Sequence, residues 1–308
     1  MGSPIRQMNN VIITGSSGFV GRNLIPYLRA FKIPTAELSL RNLELPLVLS
    51  PAHAIIHLAG KAHDIKSVSQ PEDYYKVNYE LTKELYKAFL NSGARKFVFV
   101  SSVKAAADSV EAVLSEDVEP RPETHYGKSK LLAEEFIQSQ PLLEGKSYFI
   151  IRPCMIHGPG NKGNLNLLYN VVSKGIPYPL ASFSNKRSFL SVENLCFIIK
   201  EILERDDIPS GIYNVADDEP LSTNEVVTLL SEAQNRSPRL LNIPQNIIRS
   251  IAKIGDKLHL PLTTERLQKL TENFVVSNDK IKSALQKRLP LSAREGILKT
   301  ARSFKDKG

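Results

Sequence analysis

Val11-Ile12-Ile13-Thr14-Gly15-Ser16-Ser17-Gly18-Phe19-Val20-Gly21 carries the reading of the fold. Val11 to Thr14 is a β-branched run of the kind that fills a buried strand. From Phe19 to Ala30 the pattern turns helical. Between them the glycines recur as G-x-x-G-x-x-G. Gly15 permits a tight turn, Gly18 lets backbone N–H groups close on a pyrophosphate, and Gly21 lets helix pack on strand. Ser17, Phe19 and Val20 complete the loop, and the helix N-terminus adds partial positive charge. The competing reading is an ordinary strand-to-helix turn. Position at the first strand of an alternating chain favours the dinucleotide loop.

Working outward, strands are expected over 35–40, 54–58, 96–100 and 148–153, with helices over 73–92 and 126–139. Tyr75, Val77, Leu81, Leu85, Ala88 and Phe89 form the apolar stripe expected for the first of these helices. Strands alternating with helices predict an α/β fold, a doubly wound parallel (Rossmann) sheet. The rhythm fades near Cys154. Residues 1–153 read as the dinucleotide-binding domain, and 154–308 as a smaller, mostly helical substrate domain whose chain can return to the sheet. Helices are expected over 165–174, 192–205 and 223–234, the last opened by Ser222 with Glu225 as a capping box. A late strand is expected over 211–215, and helices from about 245 onward. The stretch from 41 to 53 is short for a helix plus a strand. Asn42-Leu43-Glu44-Leu45 is either a short third strand or a loop.

Composition narrows the class. The 308 residues are 42% hydrophobic and 23% charged, with a net charge of +8, values of a globular chain with a sizeable core. The largest basic cluster, Arg236, Arg239, Arg249, Lys253, Lys257 and Arg266, reads as solvated helix faces. No zinc spacing and no RNA-binding aromatic signature accompany it, so an anionic small substrate is expected rather than nucleic acid. Cys154 and Cys196 both sit in apolar runs, which predicts a reducing, cytoplasmic setting. No apolar run is long enough for membrane insertion. His57, His63 and His157 share no ligand spacing, and no metal is expected.

Tyr126-Gly127-Lys128-Ser129-Lys130 places Tyr126 and Lys130 at i, i+4 on one helical face. A nearby ammonium is expected to lower the phenol pKa, so that Tyr126 can exchange a proton with a substrate hydroxyl. Ser101-Ser102 ends the preceding strand, where parallel sheets open their ligand crevice. A hydroxyl there polarises the same substrate oxygen. The tip of the second strand selects the cofactor: Ser39 and Arg41 stand where a carboxylate would hold the ribose of NAD. NADP(H) is therefore favoured over NAD among the NAD(P) cofactors.

These residues resemble the extended short-chain dehydrogenase/reductase family, the NAD-dependent epimerase/dehydratase group, over nearly the whole chain. The glycine loop matches its cofactor loop. Leu58-Ala59-Gly60 matches the strand under the cofactor, Asn78 its helix asparagine, and Phe99-Val100-Ser101-Ser102 its catalytic-serine strand. Arg152-Pro153-Cys154-Met155-Ile156-His157-Gly158-Pro159-Gly160 resembles R-P-x-x-V-Y-G-P-G, with His157 for tyrosine. Further matches lie in the stretch from Arg187 to Asn194 and in Tyr213-Asn214-Val215. The resemblance implies Ser102, Tyr126 and Lys130 as catalytic residues. It implies Gly15, Ser17, Gly18, Phe19, Val20, Gly21, Arg41, Leu58, Ala59, Gly60, Asn78, Ser101, Tyr126, Lys130 and Pro153 around the cofactor. Lys104, Met155, Asn164 and Arg187 would meet the substrate.

The stretches around Lys162-Gly163-Asn164 and Pro177-Tyr178-Pro179-Leu180 look most like enzymes of UDP-N-acetylhexosamines or their 4-keto-6-deoxy forms. A UDP-sugar is the implied substrate and a homodimer the implied assembly. Met155, where 4-epimerases carry an asparagine, favours a 4-reductase over a 4-epimerase. Val103-Lys104 after the serine disfavours a 4,6-dehydratase. A cofactor-binding sensor without catalysis would be expected to lack the Tyr-Lys pair.

Overall fold

A computed structural model describes residues 10–41, 47, 49–61, 70–161, 163–258 and 262–305. Asn42-Leu43-Glu44-Leu45, Lys162 and His63 lie outside the described residues. The first half runs β1 (Val11–Thr14), α1 (Phe19–Ala30), β2 (Thr35–Leu38), β3 (Ala54–His57) and α2 (Pro71–Tyr74). A π-turn (Tyr75–Glu80), α3 (Leu81–Leu90) and β4 (Lys96–Val100) follow. Next come a 3-10 turn (Val103–Ala105), β5 (Val113–Leu114), α4 (His125–Ser139) and β6 (Ser147–Pro153). The second half adds β7 (Met155–His157), α5 (Asn164–Ser173), β8 (Phe189–Ser191), α6 (Val192–Glu204), β9 (Gly211–Val215) and α7 (Thr223–Glu232). It closes with α8 (Gln245–Leu258), α9 (Thr264–Thr271), β10 (Val275–Val276), α10 (Asp279–Leu285) and α11 (Ala293–Lys305).

The central sheet has the order β2-β1-β3-β4-β6-β9, every pairing parallel. This is a doubly wound Rossmann sheet. The chain leaves β1 for one neighbour and returns to β3 on its other side. The crevice outside the carboxyl ends of β1 and β3 is thus the topological switch point, where ligands bind such sheets. β9 comes from beyond Cys154 and pairs with β6.

Both faces of the sheet are covered, as its apolar strands require. One apolar core joins Ile13, Ile56, Val98 and Ile151 to α1 and α6, and another joins Ile12, Ile55, Phe97 and Phe99 to α3 and α4. A third, through Leu165, Val226, Leu230, Ile248 and Ile297, holds the later helices together. Among the described residues, no helix is long and apolar enough to cross a membrane.

The expected helix over 73–92 is interrupted by the π-turn, and its buried face is not the expected stripe. Tyr74, Asn78, Thr82, Leu85, Tyr86 and Phe89 are buried, whereas Tyr75, Val77, Leu81 and Ala88 are only half-buried. The widened turn rotates the face and carries two polar residues inward.

Their partners make one chain of hydrogen bonds. The Thr82 hydroxyl donates to Asn78 O at 2.7 Å, so its oxygen accepts from His57 Nε2 at 2.9 Å. His57 Nδ1 then accepts from the Thr14 hydroxyl at 2.7 Å, and Thr14 Oγ1 accepts from Ala59 N at 3.2 Å. His57 is fully buried, and desolvation pushes its ring down to about 3, with Lys130 adding repulsion.

An unfolded histidine binds its proton near pH 6.5, so acid favours the unfolded chain. Stability is expected to fall by about 1.4 kcal/mol per pH unit below pH ~6.5 on account of this group. Urea melts of wild type and His57→Gln at pH 7 and 5 test this. The variant should lose less stability on acidification; equal losses would reject the assignment.

Candidate active site

Gly15 has φ +70°, and a Cβ there would lie 2.5 Å from Ala59 N and 2.7 Å from the Leu58 carbonyl carbon. The turn after β1 is pressed against the tip of β3, where only glycine fits. Gly18 differs: a Cβ would meet only Gly15 O, at 3.1 Å. The protein leaves that side open. Gly18 caps α1 without a side-chain bond, and the first turn, with Phe19, Val20 and Gly21, holds no acidic residue. By contrast Thr124, Ser191, Ser222 and Thr263 cap α4, α6, α7 and α9 through their hydroxyls. An uncapped helix end beside an open glycine fits the pyrophosphate of a dinucleotide. Ser17 sits in the loop, its carbonyl accepting from Arg22 Nε at 2.7 Å. Ser39 and Arg41 follow β2 and are exposed, Arg41 N donating to Ser39 Oγ at 3.3 Å.

Ser101 and Ser102 follow β4. Ser102 caps the 3-10 turn, accepting from Lys104 N at 3.2 Å, and its hydroxyl is hydrogen-bonded to the Tyr126 phenol. Asp108 fixes the entry to α4 by accepting from Glu123 N at 2.7 Å and Thr124 N at 3.1 Å. Gly127 then lets the helix close on the turn, since a Cβ there would lie 2.3 Å from Lys104 O. The Y-G-K-S-K glycine is therefore what brings phenol to serine.

Lys130 is one turn on. Its Nζ donates to Val100 O at 3.1 Å, lies 4.7 Å from the centre of the Phe99 ring, and would be 3.1 Å from a Cβ on Gly60. This corrects one expectation. The ammonium is turned toward the tips of β3 and β4, and it is not among the groups that pull Tyr126 down. Burial pushes the phenol up, and the Ser102 hydrogen bond offsets part of that. Lys130 itself is pushed down to about 8 by burial, against the opposing pull of the Glu134 carboxylate.

Two residues assigned to the cofactor have other partners. Asn78 is fully buried, accepts from Lys61 N at 2.8 Å, and donates to Lys61 O at 3.1 Å and Ser129 Oγ at 3.0 Å. It ties the chain after Leu58-Ala59-Gly60 to α4, a positioning task. The Ser101 hydroxyl donates inward to Glu134 Oε1, not to the crevice. Pro153 ends β6 and is buried.

Glu134 was not anticipated, although it continues the spacing Tyr126, Lys130, Glu134 along one face of α4. Arg152 grips it, Nε lying 3.1 and 3.0 Å from its two oxygens, with both residues buried. Burial pushes the carboxyl up, while Arg152 and Ser101 pull it back.

The expected substrate residues partly converge. Lys104 Nζ donates to Asp108 O at 2.7 Å and sits 4.6 Å from the Phe274 ring centre. Burial lowers its pKa, with Arg187 and Lys269 adding repulsion against Asp108 and Glu272. Arg187 Nη1 donates to Lys269 O at 2.7 Å, and burial lowers its pKa as well. Lys104 and Arg187 thus share one electropositive corner. Met155 opens β7 and pairs with Phe189 of β8, two residues past Arg187. Asn164 is the first residue of α5, which like α1, α2, α3 and α10 has no side-chain cap; its side chain lies outside the described residues.

The histidines are dispersed. His57 is in the hydrogen-bonded chain above, and His157 lies buried with Nδ1 2.8 Å from Thr300 Oγ1. Among the described residues, no three His, Cys, Asp or Glu side chains cluster as a metal site.

Residues 11–216 match the model of the NAD dependent epimerase/dehydratase family. The chain is 28% identical over 318 residues to the UDP-glucose 4-epimerase of Vibrio cholerae, covering 96% of this chain and 95% of that one. It is 26% identical over 265 residues to the GDP-6-deoxy-D-mannose reductase of Pseudomonas aeruginosa, covering 78% of this chain and 85% of that one. Its fold is shared with MoeE5 in complex with UDP-glucose and NAD. The TM-score is 0.74 at 21% identity, over 97% of this chain and 99% of that one.

Proposed function

We propose, from the premise that this chain belongs to the NAD-dependent epimerase/dehydratase family and is an enzyme, that it transfers hydride between a nicotinamide cofactor and C4 of a UDP-sugar. The reading favoured is reduction of a 4-keto-6-deoxy-N-acetylhexosamine, with NADP(H) over NAD. The observation that carries it is the Ser102–Tyr126 hydrogen bond at the carboxyl end of the sheet, beside the open end of α1.

The bound cofactor supplies or accepts the hydride. The chain's own residues do the rest. The first turn of α1 holds the pyrophosphate, and Lys130, at the β3 and β4 tips, holds the nicotinamide ribose. Ser102 donates a hydrogen bond to the sugar C4 oxygen, and Tyr126 exchanges the proton with it. A phenol pushed up by burial keeps its proton at neutral pH, which suits a proton donor and hence reduction. Lys104 and Arg187 suit the substrate diphosphate, since a guanidinium matches phosphate oxygens. Arg41, just past β2, favours a 2′-phosphate.

Epimerisation is the second reading, favoured by the identity to the Vibrio cholerae 4-epimerase along nearly the whole chain. A homodimer through α3 and α4 is part of the proposal: Val77 and Leu81 are half-buried and Leu132 is exposed. So is a cytoplasmic setting, in which the buried thiols of Cys154 and Cys196 stay free.

One experiment separates the readings. The purified chain is given NADPH or NADH with a UDP-4-keto-6-deoxy-N-acetylhexosamine, and separately a UDP-hexose. Stoichiometric loss of the reduced cofactor with the keto sugar supports the reductase. Interconversion of the UDP-hexoses without net cofactor loss supports the epimerase and overturns the reductase. No turnover of either sugar rejects both.

A further inference from the structure

The geometry points to α8 as a docking element for an anionic lipid bilayer surface, on which the protein lies without crossing it. Helix α8 turns Ile248, Ala252 and Gly255 inward. Its remaining large apolar residues face out: Ile247, Ile251, Ile254 and Leu258 are 47%, 46%, 52% and 64% exposed. Their spacing, i, i+4, i+7, i+11, makes one continuous stripe along the helix. Arg249, Lys253 and Lys257, at i, i+4, i+8, make a second exposed row on the solvent side. The one acidic residue of the helix, Asp256, bonds Thr264 N at 2.9 Å and Thr264 Oγ1 at 2.5 Å, at the start of α9.

An exposed isoleucine row beside a basic row is the pattern of a helix lying in a lipid interface, its apolar side in the acyl boundary and its cations at anionic headgroups. A second copy of the chain is the weaker fit. A two-fold contact through the stripe would bring two basic rows together, and the protein already carries a net charge of +8. By sequence alone these cations read as solvated helix faces; the exposed stripe beside them supplies the reason for their position. The device is also close to the cleft. Helix α9 packs on α8, and its Lys269 carbonyl receives the Arg187 guanidinium. A bilayer that held α8 would lie one helix away from the electropositive corner.

The test uses the full chain and vesicles of phosphatidylglycerol with phosphatidylcholine, against phosphatidylcholine alone. Wild type should float with the anionic vesicles and be released by high salt. The substitutions Ile251→Gln with Ile254→Gln, and separately Lys253→Gln with Lys257→Gln, should each weaken binding at least tenfold. Exposed sites tolerate such changes, so the melting temperature should hold. The chain has no tryptophan, so Ile254→Trp gives a single reporter whose emission should shift blue on vesicle addition. Absence of binding to anionic vesicles overturns the proposal, as does binding indifferent to both pairs. So does a loss of self-association in the isoleucine pair with no vesicle binding by wild type, which assigns the stripe to a second copy.

Discussion

Tyr126→Phe is expected to lower turnover by roughly 10²–10⁴-fold, the usual contribution of a positioned general acid–base group, while cofactor affinity stays within a few-fold of wild type. The phenol oxygen is what Ser102 meets, and it is the group proposed to carry the proton. The ring does other work: it sits 6.3 Å edge-on to Tyr74, a contact that phenylalanine keeps. The fold and the closure of Gly127 on Lys104 are therefore unaffected. Steady-state rates in the reductive direction, paired with a nicotinamide titration by fluorescence, separate the two effects. Turnover within tenfold of wild type would remove Tyr126 from the chemistry. A parallel loss of cofactor affinity would recast it as a binding residue. The pH profile adds a sign. Burial pushes the phenol up, so a proton donor at this position stays competent through neutral pH and fails only as pH rises toward the phenol's own ionisation. A rate that instead rose steadily with pH would favour the phenolate as base, and with it the oxidative half of an epimerase.

What could be read beforehand followed rules that act locally. The bounds of α1 and the turn before it depend on glycine conformation and helix periodicity, both written in adjacent residues. The Ser222–Glu225 capping box likewise formed as spelled. The misses have one physical origin. A hydrophobic pattern assigns polar residues to solvent and apolar residues to the core. Asn78 and Thr82 are polar and buried because a π-turn rotates them inward and distant partners satisfy them. Ile247, Ile251 and Ile254 are apolar and exposed. Glu134 and Arg152, 18 residues apart, are buried charges that only the pairing of α4 with β6 brings into contact. Ser102 and Tyr126 were legible as candidates because their spacing is local to a strand end and a helix start. The electrostatics of the site were not, because burial, which decides the direction for both Tyr126 and Lys130, is a property of the assembled fold.

The Glu134–Arg152 pair gives the largest expected effect on stability. The side chains are 0% and 1% exposed, and besides the Nε contacts Arg152 Nη2 lies 2.5 Å from Glu134 Oε2. A buried ion pair adds little net stability, because desolvation of both charges opposes their attraction. Breaking one is different. Glu134→Gln leaves a guanidinium in the core without its counter-charge, and Arg152 Nη1 already has no hydrogen-bond partner among the described residues. A loss of about 3–5 kcal/mol in urea unfolding is expected for that variant. The double variant Glu134→Leu with Arg152→Met removes both charges and should lose less than the single variant does. Glu134→Gln as stable as wild type, or a double variant no better than the single, would show that the pair is not coupled as its geometry implies. Glu134 also holds Lys130 up against burial, which leaves it near 8. Without that carboxylate the ammonium deprotonates at lower pH, so the pH at which cofactor affinity declines should move down in Glu134→Gln. A purely structural role for the pair would reduce stability and leave that midpoint in place, so the two measurements separate a scaffold from a residue that positions and charges the lysine of the site.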